Sequence, residues 1–368
     1  MLLATLALAS LSASKLEQPL PAKLVAGHGL FVARAEAAVE DATIRVSIPV
    51  PYRGQTPVAI DVAHEPPDAV RSLRVVREGE NRYLEIALAP LAAGAAVRVD
   101  VTSYVLLRPT TPADGDGARL VDPAAMPADV RAQLGPAPGV DSDAAEVIAI
   151  ARTLDHADLA ATVAGVLGYL KREIGVGSGP QGALEVLARK GSVCTGAANL
   201  SAALLIAAGI PARILPCVMI GLEQQEHYIV EAWSSSTGWI KLEPTLKKFP
   251  LDDTLHLVVR FVDRETPRSY GSVPLYRPVG SAGVAADFDD RHPRRCWQSA
   301  EVLATFELPP GELEAIERPA RAAFEALERE PSPGPEVRFA PKKAPSALRS
   351  RGRKLLEELD RALAPDRR

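Results

Sequence analysis

The sequence is poor in the features that mark several large classes of protein. Its 368 residues include only three cysteines, widely spaced and without a CxxC pair, so neither a disulfide framework nor a cysteine zinc site is indicated. The 42 basic and 46 acidic residues give a net charge of −4, a balance that argues against nucleic-acid binding. Beyond the N-terminus, no stretch approaches the ~20 uninterrupted apolar residues of a membrane span, so we expect no stable membrane insertion. What remains is a globular chain long enough for two or three domains.

A short apolar segment, residues 1–14, opens the chain and ends in small residues before Lys15. It is similar to the hydrophobic and cleavage regions of a secretory signal, although the basic leading region is absent. If it is a signal peptide, we expect a periplasmic or extracellular protein, and otherwise a cytoplasmic one. The alternatives are a disordered or helical N-terminus, or a start site placed too late in the gene.

Residues 28–108 alternate between apolar and polar side chains with a period of two. The pattern is plainest at 44–50, 84–88 and 97–101, and turn residues such as Tyr52-Arg53-Gly54 separate the runs. The region therefore predicts an N-terminal antiparallel β-sandwich domain. Since its histidines are isolated from other titratable residues, we expect no catalytic role for them.

Helical patterns follow a linker. Residues 109–140 are rich in proline, glycine, aspartate and alanine, which is typical of a connecting segment. Helices are expected from Asp143, whose side chain can cap the first turn, and then over 158–173 and 183–190. We assign residues 141–285 to a second, α+β domain. Residues 286–368 predict a helical, basic C-terminal extension with helices near 311–328 and 346–363, best interpreted as having a solvated basic face.

The most informative stretch is Gly191–Leu200, a tight turn that runs into a helix ending at Gly209. Cys194 lies on the first turn of this helix, where backbone N–H groups and the positive end of the helix dipole favour thiolate over thiol. Such a cysteine is either a nucleophile or a small buried hydrophobe. We adopt the second interpretation for Cys217, which lies in an apolar strand, whereas a base near Cys194 would favour the first.

Residues 226–245 predict two antiparallel strands joined by a four-residue loop rich in serine. If Trp233 faces Trp239 across the hairpin, His227 and Glu243 lie on one face as diagonal neighbours at its open end. The opposite face is almost wholly apolar and is expected in the core. A slip of one residue would move the glutamate to the wrong side, so the loop length matters.

These motifs together resemble the transglutaminase-like core of the papain-like thiol enzymes. The motifs that carry the resemblance are Gly191-Ser192-Val193-Cys194, Gly209-Ile210-Pro211-Ala212-Arg213, His227 with Glu231 four residues later, Gly238-Trp239, and Glu243-Pro244-Thr245. The resemblance covers roughly residues 142–249, and the N-terminal domain is similar to the sandwich that often precedes this core in bacterial members. It implies an α+β fold in which a helix bundle bearing the cysteine helix packs on an antiparallel sheet.

The resemblance also implies a chemistry. Cys194 would attack a glutamine carboxamide or a peptide carbonyl to give a thioester, with His227 as its proton-transfer partner and Glu243 as the carboxylate that orients the histidine. The backbone N–H of Cys194 would donate to the oxyanion, and Gln181 is a candidate second donor. Water or an amine would complete the reaction on a protein, peptide or cell-wall-like substrate, with no cofactor. We expect no metal site, because the acidic clusters at 252–253 and 287–290 lack EF-hand spacing.

Two positions depart from the family pattern. The family usually has aspartate where this chain has Glu243, and position 229, often aromatic in the family, is isoleucine. The extra methylene of the glutamate requires the carboxylate to sit further from His227 or the side chain to fold back. These departures leave open a second hypothesis, an inactive transglutaminase-like scaffold whose β-domain binds protein or polysaccharide.

Overall fold

A computed structural model describes residues 20–109, 122–154, 156–177, 181–221, 226–251, 254–261, 278–288, 299–329 and 336–337. Several expectations lie outside these ranges, namely the apolar segment 1–14, the acidic pair 252–253, Cys296 and the helix expected at 346–363. Among the described residues, no helix has both the length and the apolar character needed to cross a membrane.

The N-terminal region forms two antiparallel sheets that face each other. Its strands are β1 (Leu20–Ala35), β2 (Ala42–Ser47), β3 (Gln55–Glu65), β4 (Val70–Glu78), β5 (Asn81–Leu88) and β6 (Ala96–Leu107). One sheet has the order β1-β6-β3 and the other β2-β5-β4. Alternate residues of β2, β5 and β6 point inward, and side chains such as Ile44, Ile86 and Val99 form one buried cluster between the sheets. The predicted antiparallel sandwich is therefore confirmed.

Helices occupy the middle of the chain. After 3₁₀ turns at Pro123–Ala125 and Ala132–Leu134, which flank α1 (Ala128–Arg131), come α2 (Ala145–Ala151), α3 (Leu159–Glu173), β7 (Gly175–Val176), α4 (Ala183–Arg189), β8 (Gly191–Ser192) and α5 (Cys194–Ala207). Asp158 caps α3 by accepting a hydrogen bond from the Ala161 N–H at 2.7 Å. The expected cap of α2 by Asp143 is wrong, because α2 begins after Ala144 and has no side-chain cap.

Helix α5 is the centre of the second domain. Residues 195–206 are all buried, since α2, α3 and α4 pack around the helix on one side and a sheet packs on the other. Gly209 ends the helix at a φ of +83°, a conformation that glycine adopts without steric cost.

The sheet beneath α5 contains β9 (Ala212–Met219), β10 (Glu226–Ser234), β11 (Gly238–Leu242) and β12 (His256–Val258), in the order β11-β10-β9-β12. Trp233 lies opposite Trp239 and Glu231 opposite Lys241, so the predicted hairpin register is confirmed. The predicted apolar face is confirmed too, and its members pack against the helices: Tyr228, Val230, Ala232, Ile240 and Leu242.

The last part of the chain returns to the N-terminal sandwich. It contains β13 (Val279–Gly280), β14 (Val284–Phe288), β15 (Ser299–Leu308), α6 (Pro310–Leu327) and β16 (Glu336–Val337). Strands β14 and β15 both pair with β1, β13 pairs with β2, and β16 pairs with β3. Helix α6 packs near β3 and corresponds to the helix expected at 311–328. Residues 279–285, predicted with the second domain, thus pair with strands of the first.

Candidate active site

The turn before α5 presents Cys194 at the edge of the second domain. Val193 is the extended N-cap residue, with φ −87° and ψ 177°, so Cys194 is the first residue of the helix. Strands β7 and β8 pair in parallel just before it and hold the turn in place. Cys194 is half-buried. Its N–H belongs to the first turn of the helix, whose N–H groups have no acceptor within the helix.

His227 and Glu243 meet at the open end of the β10–β11 hairpin. Nε2 of His227 lies 2.6 Å from Oε2 of Glu243, and both residues are buried, His227 with 6% and Glu243 with 0% of its surface exposed. Because the loop sets the register, the two side chains lie on one face as predicted. A hydrogen bond also links the His227 side chain to Cys194. Since Glu243 occupies Nε2, Nδ1 is the ring nitrogen left for the thiol.

The glutamate side chain folds back over its own turn. Glu243 and Lys248 exchange two backbone hydrogen bonds, of 2.9 and 3.1 Å, which close a tight turn immediately after β11. Inside that turn, Oε1 of Glu243 accepts hydrogen bonds from the N–H groups of Thr245 at 2.7 Å and Leu246 at 3.4 Å. The extra methylene of Glu243 is therefore accommodated because the side chain folds back, and Oε2 remains directed at His227.

The electrostatics of the pair favour opposite charges. Burial alone would raise the pKa of Glu243, but the hydrogen bond and charge of His227, together with the nearby His256 imidazole, lower it to about 2. Burial alone would lower the pKa of His227, but its hydrogen bonds to Cys194 and Glu243 outweigh that effect and raise it to about 9. At neutral pH the pair is therefore an imidazolium and a carboxylate.

The other predicted residues lie in different settings. Cys217 is fully buried on β9, as expected for a core residue. The main-chain oxygen of Gln181 accepts a 2.8 Å hydrogen bond from Nδ2 of Asn199, a buried residue of α5. This bond ties the segment before α4 to the cysteine helix near Cys194.

Sequence reasoning missed His256, which the fold brings to the same cluster. His256 begins β12 and is 2% exposed. Its Nε2 lies 3.4 Å from Oε2 of Glu243, and its ring stacks on that of His227 with centroids 5.4 Å apart and planes 22° apart. The signal was a single polar residue inside the apolar run Leu255–Val259.

His227, Glu243 and His256 are also the residue types that bind zinc, and their candidate ligand atoms lie within 4.8 Å of one another. Ligand atoms around tetrahedral zinc stand about 3.3 Å apart, since each Zn–N or Zn–O bond is ~2 Å long. The 2.6 Å separation of His227 and Glu243 is a hydrogen-bond distance that a metal would have to break. The cluster is therefore better described as a hydrogen-bonded group than as a metal centre.

A half-buried cysteine at a helix N-terminus, joined to a histidine and a carboxylate from an adjoining sheet, is the arrangement of a thiol-enzyme core. Residues 149–244 match the Transglutaminase-like superfamily. The chain thus contains a transglutaminase-like core, and the resemblance stated from the motifs is confirmed. The match spans α2 to the end of the β10–β11 hairpin and so includes all three residues of the hydrogen-bonded chain.

Solved structures extend the comparison beyond the core. The chain is similar to a candidate cysteine protease from Cytophaga hutchinsonii, with 13% identity and a TM-score of 0.54, over 78% of this chain and 91% of the other. The periplasmic domain of TgpA from Pseudomonas aeruginosa matches with 18% identity and a TM-score of 0.28, over 53% and 92% of the two chains. A candidate protease from Parabacteroides distasonis matches with 14% identity and a TM-score of 0.27, over 64% and 47%. The Cytophaga hutchinsonii structure supports a similar fold and nothing further, because its identity is 13%, and the TM-scores of the other two are too low to support a similar fold. Among curated proteins, none has a significantly similar sequence.

Proposed function

We propose that this protein is a transglutaminase-like cysteine enzyme that acts on amide bonds, either glutamine carboxamides or peptide bonds, through a thioester intermediate. The observation that supports this proposal most directly is the continuous hydrogen-bonded chain from Cys194 through His227 to Glu243. A structural cysteine would need neither the imidazolium nor the buried carboxylate that holds it.

In the acylation step, the Cys194 thiolate attacks the carbonyl carbon of the amide and forms a C–S bond. The negative charge moves to the carbonyl oxygen, where the N–H of Cys194 at the start of α5 donates a hydrogen bond. A donor of this kind is typically worth about 3 kcal/mol. Collapse of the tetrahedral intermediate breaks the C–N bond, and the His227 imidazolium gives its proton to the departing ammonia or amine.

In the deacylation step, neutral His227 takes a proton from water or from an amine as that molecule attacks the thioester. The C–S bond then breaks, and the thiolate and imidazolium return to their starting pair. Glu243 keeps its hydrogen bond to Nε2 throughout, so that Nδ1 faces the sulfur in both steps. Water gives hydrolysis and an amine gives a cross-link.

We propose protein or peptide substrates, including the peptides of bacterial cell walls, for an exported form of the protein. The proposal rests on the apolar segment 1–14 and on the wide use of amides as acyl donors by thiol enzymes.

The test is mass spectrometry of the purified protein incubated with a glutamine-containing peptide and a primary amine. Deamidation raises the peptide mass by about 1 Da, cross-linking adds the amine with loss of ammonia, and cleavage gives fragments. We expect one of these products with the native protein and none with Cys194→Ala. Cys296→Ala is the control for the loss of a cysteine, because Cys217 lies directly opposite His227 and its thiol donates to the His227 main-chain oxygen at 3.4 Å.

The competing hypothesis of an inactive scaffold makes a different prediction. It would be supported if a set of varied peptides gave no product while a thiol-directed electrophile labelled Cys194 no faster than a free cysteine. Labelling confined to Cys217 or Cys296 would contradict the assignment of Cys194 as the nucleophile.

A further inference from the structure

His256 is the member of the buried cluster that the proposed chemistry does not use. It comes from β12, at the edge of the sheet opposite the β10–β11 hairpin. Burying an imidazole and a carboxylate costs free energy, because both groups lose their hydration, and a contact between them offsets part of that cost. The Nε2 atom of His256 makes such a contact, 3.4 Å from Oε2 of Glu243.

The Glu243 carboxylate has three hydrogen bonds and one longer contact. Oε1 accepts from the N–H groups of Thr245 and Leu246, and Oε2 pairs with Nε2 of His227. Nε2 of His256 lies 3.4 Å from Oε2, within ion-pair distance but outside hydrogen-bond geometry. An ionised carboxylate offers about four acceptor positions, so His256 lies beside the one that the three hydrogen bonds leave. A glutamate has one more rotatable bond than an aspartate, and it needs more contacts to hold its carboxylate in one orientation.

The stacking of the two rings adds a second constraint. With a centroid distance of 5.4 Å and an interplanar angle of 22°, the His256 ring stacks against the His227 ring with an offset. The His256 ring therefore occupies part of the space into which the His227 ring could tilt. His256 thus restricts the position of Oε2, the oxygen that pairs with His227, and also the orientation of the His227 ring plane.

Ionisable groups from three neighbouring elements face the cluster. Cys194 on α5 interacts with His227 on β10, and Lys247 in the turn after β11 interacts with Glu243 while its ammonium donates to the Pro244 carbonyl at 2.6 Å. A His256 tautomer with its proton on Nε2 would turn an N–H toward Oε2.

We propose that His256 is a positioning residue: its imidazole holds the Glu243 carboxylate and the His227 ring in the one arrangement that directs Nδ1 at Cys194. This inference rests on the proposed function of Cys194 and His227. His256 contacts the hydrogen-bonded chain of Cys194, His227 and Glu243, but it does not itself reach the reacting atoms.

The experiment compares two substitutions at position 256. His256→Phe keeps a planar ring of similar size, so it retains the stacking and removes the donor. His256→Gln keeps an N–H donor at the position of Nε2 and removes the ring. His64→Gln, at a half-buried site on β3, is the control for the loss of a histidine.

Two readouts are measured for each variant. The first is the titration midpoint of the Glu243 side-chain carbon by NMR, assigned through its absence in Glu243→Gln. The second is turnover, or the rate of Cys194 alkylation if no amide substrate is turned over. We expect His256→Phe to raise the Glu243 midpoint and to lower kcat or the alkylation rate about 10-fold with little change in KM, and His256→Gln to restore both in part.

The outcomes separate this inference from the proposed function. If amide turnover is absent but the Glu243 midpoint and the alkylation rate respond to His256→Phe, the positioning role stands and the proposed reaction fails. If His256→Phe leaves the midpoint and both rates as in the native protein, the positioning role is overturned. If His256→Phe lowers neither rate while His256→Gln lowers both, ring stacking and not the contact with Glu243 accounts for His256, and the proposed hold on the carboxylate is overturned.

Discussion

At the scale of single residues, the candidate site depends on one buried pair of opposite charges. Each member of the pair is stable in its charged form because of the other, since Glu243 has a pKa of about 2 and His227 a pKa of about 9. The sequence predicted this pair because the period of a strand and the length of a loop are local properties. It did not predict His256, because the contact of His256 with Glu243 depends on which strand joins the far edge of the sheet.

The charged pair predicts a stability window in pH. The contribution of Glu243 is present above its unfolded pKa of about 4.5 and is lost as pH falls toward 2. That of His227 is fully present below about 6.5 and is lost as pH rises through 9. The free energy of unfolding of the native protein should therefore exceed that of Glu243→Gln most between pH 4.5 and 6.5, by about 3 kcal/mol.

Denaturant unfolding at a series of pH values measures this difference. The control is Glu301→Gln, which disrupts the surface contact of Glu301 with His28 and should change stability by less than about 1 kcal/mol at every pH. A difference for Glu243→Gln that does not vary between pH 3 and 9 would show that the pair is not charged as described.

At the scale of elements, α5 and the β10–β11 hairpin place the reacting groups. The end of α5 at Gly209 and the register of the hairpin followed from the sequence, because glycine, proline and alternating side chains give local signals. The start of α2 did not follow, since an aspartate near a helix can cap it or remain outside it with equal ease. For Glu243, the sequence left two possibilities open, a carboxylate further from His227 or a side chain that folds back, and only the structure shows that the turn after β11 folds it back.

The complete burial of α5 predicts that its position is set by packing. Leu200, fully buried on α5, touches the core between the helices and the sheet. Leu200→Ala should lower the free energy of unfolding by about 3 kcal/mol, because it leaves a cavity beside the helix that carries Cys194. Leu184→Ala on α4, at a site that is 38% exposed, should cost less than about 1 kcal/mol. Equal losses in urea unfolding for the two variants would contradict this account.

At the scale of the whole molecule, the N-terminal sandwich supports the sheet that holds the site. The side chain of Gln55 pairs with both the N–H and the carbonyl of Val258 on β12, at 2.9 and 2.7 Å, and Asn81 pairs in the same way with Phe261. Tyr52 of the sandwich donates to the buried carboxylate of Glu231 on β10. The two domains therefore share polar contacts on the strands that carry His227 and His256.

These contacts predict that the sandwich stabilises the second domain. Gln55→Ala leaves two buried backbone groups of Val258 without their partners, and it should lower the free energy of unfolding by about 1–3 kcal/mol. Thr153→Ala, which removes a side-chain hydrogen bond to a main-chain carbonyl at an exposed site, is the control and should have a smaller effect. Hydrogen exchange at β12 should also increase in Gln55→Ala, and unchanged exchange there would argue against this support.

The return of the chain to the sandwich was beyond sequence reasoning. Strands β13 to β16 pair with partners more than 200 residues earlier, and the residues between 250 and 340 alternate too weakly to reveal them. Of the described elements between residues 278 and 337, only α6 was predicted, from its amphipathic pattern.

The most direct test of the central claim is the rate at which iodoacetamide alkylates Cys194 at pH 6.5, in the native protein and in His227→Gln. Since the imidazolium stabilises the thiolate, we predict that the native protein reacts roughly tenfold faster or more, with the label on Cys194 by peptide mapping. Equal rates in the two proteins, or a label on another cysteine, would contradict an activated thiol at the start of α5.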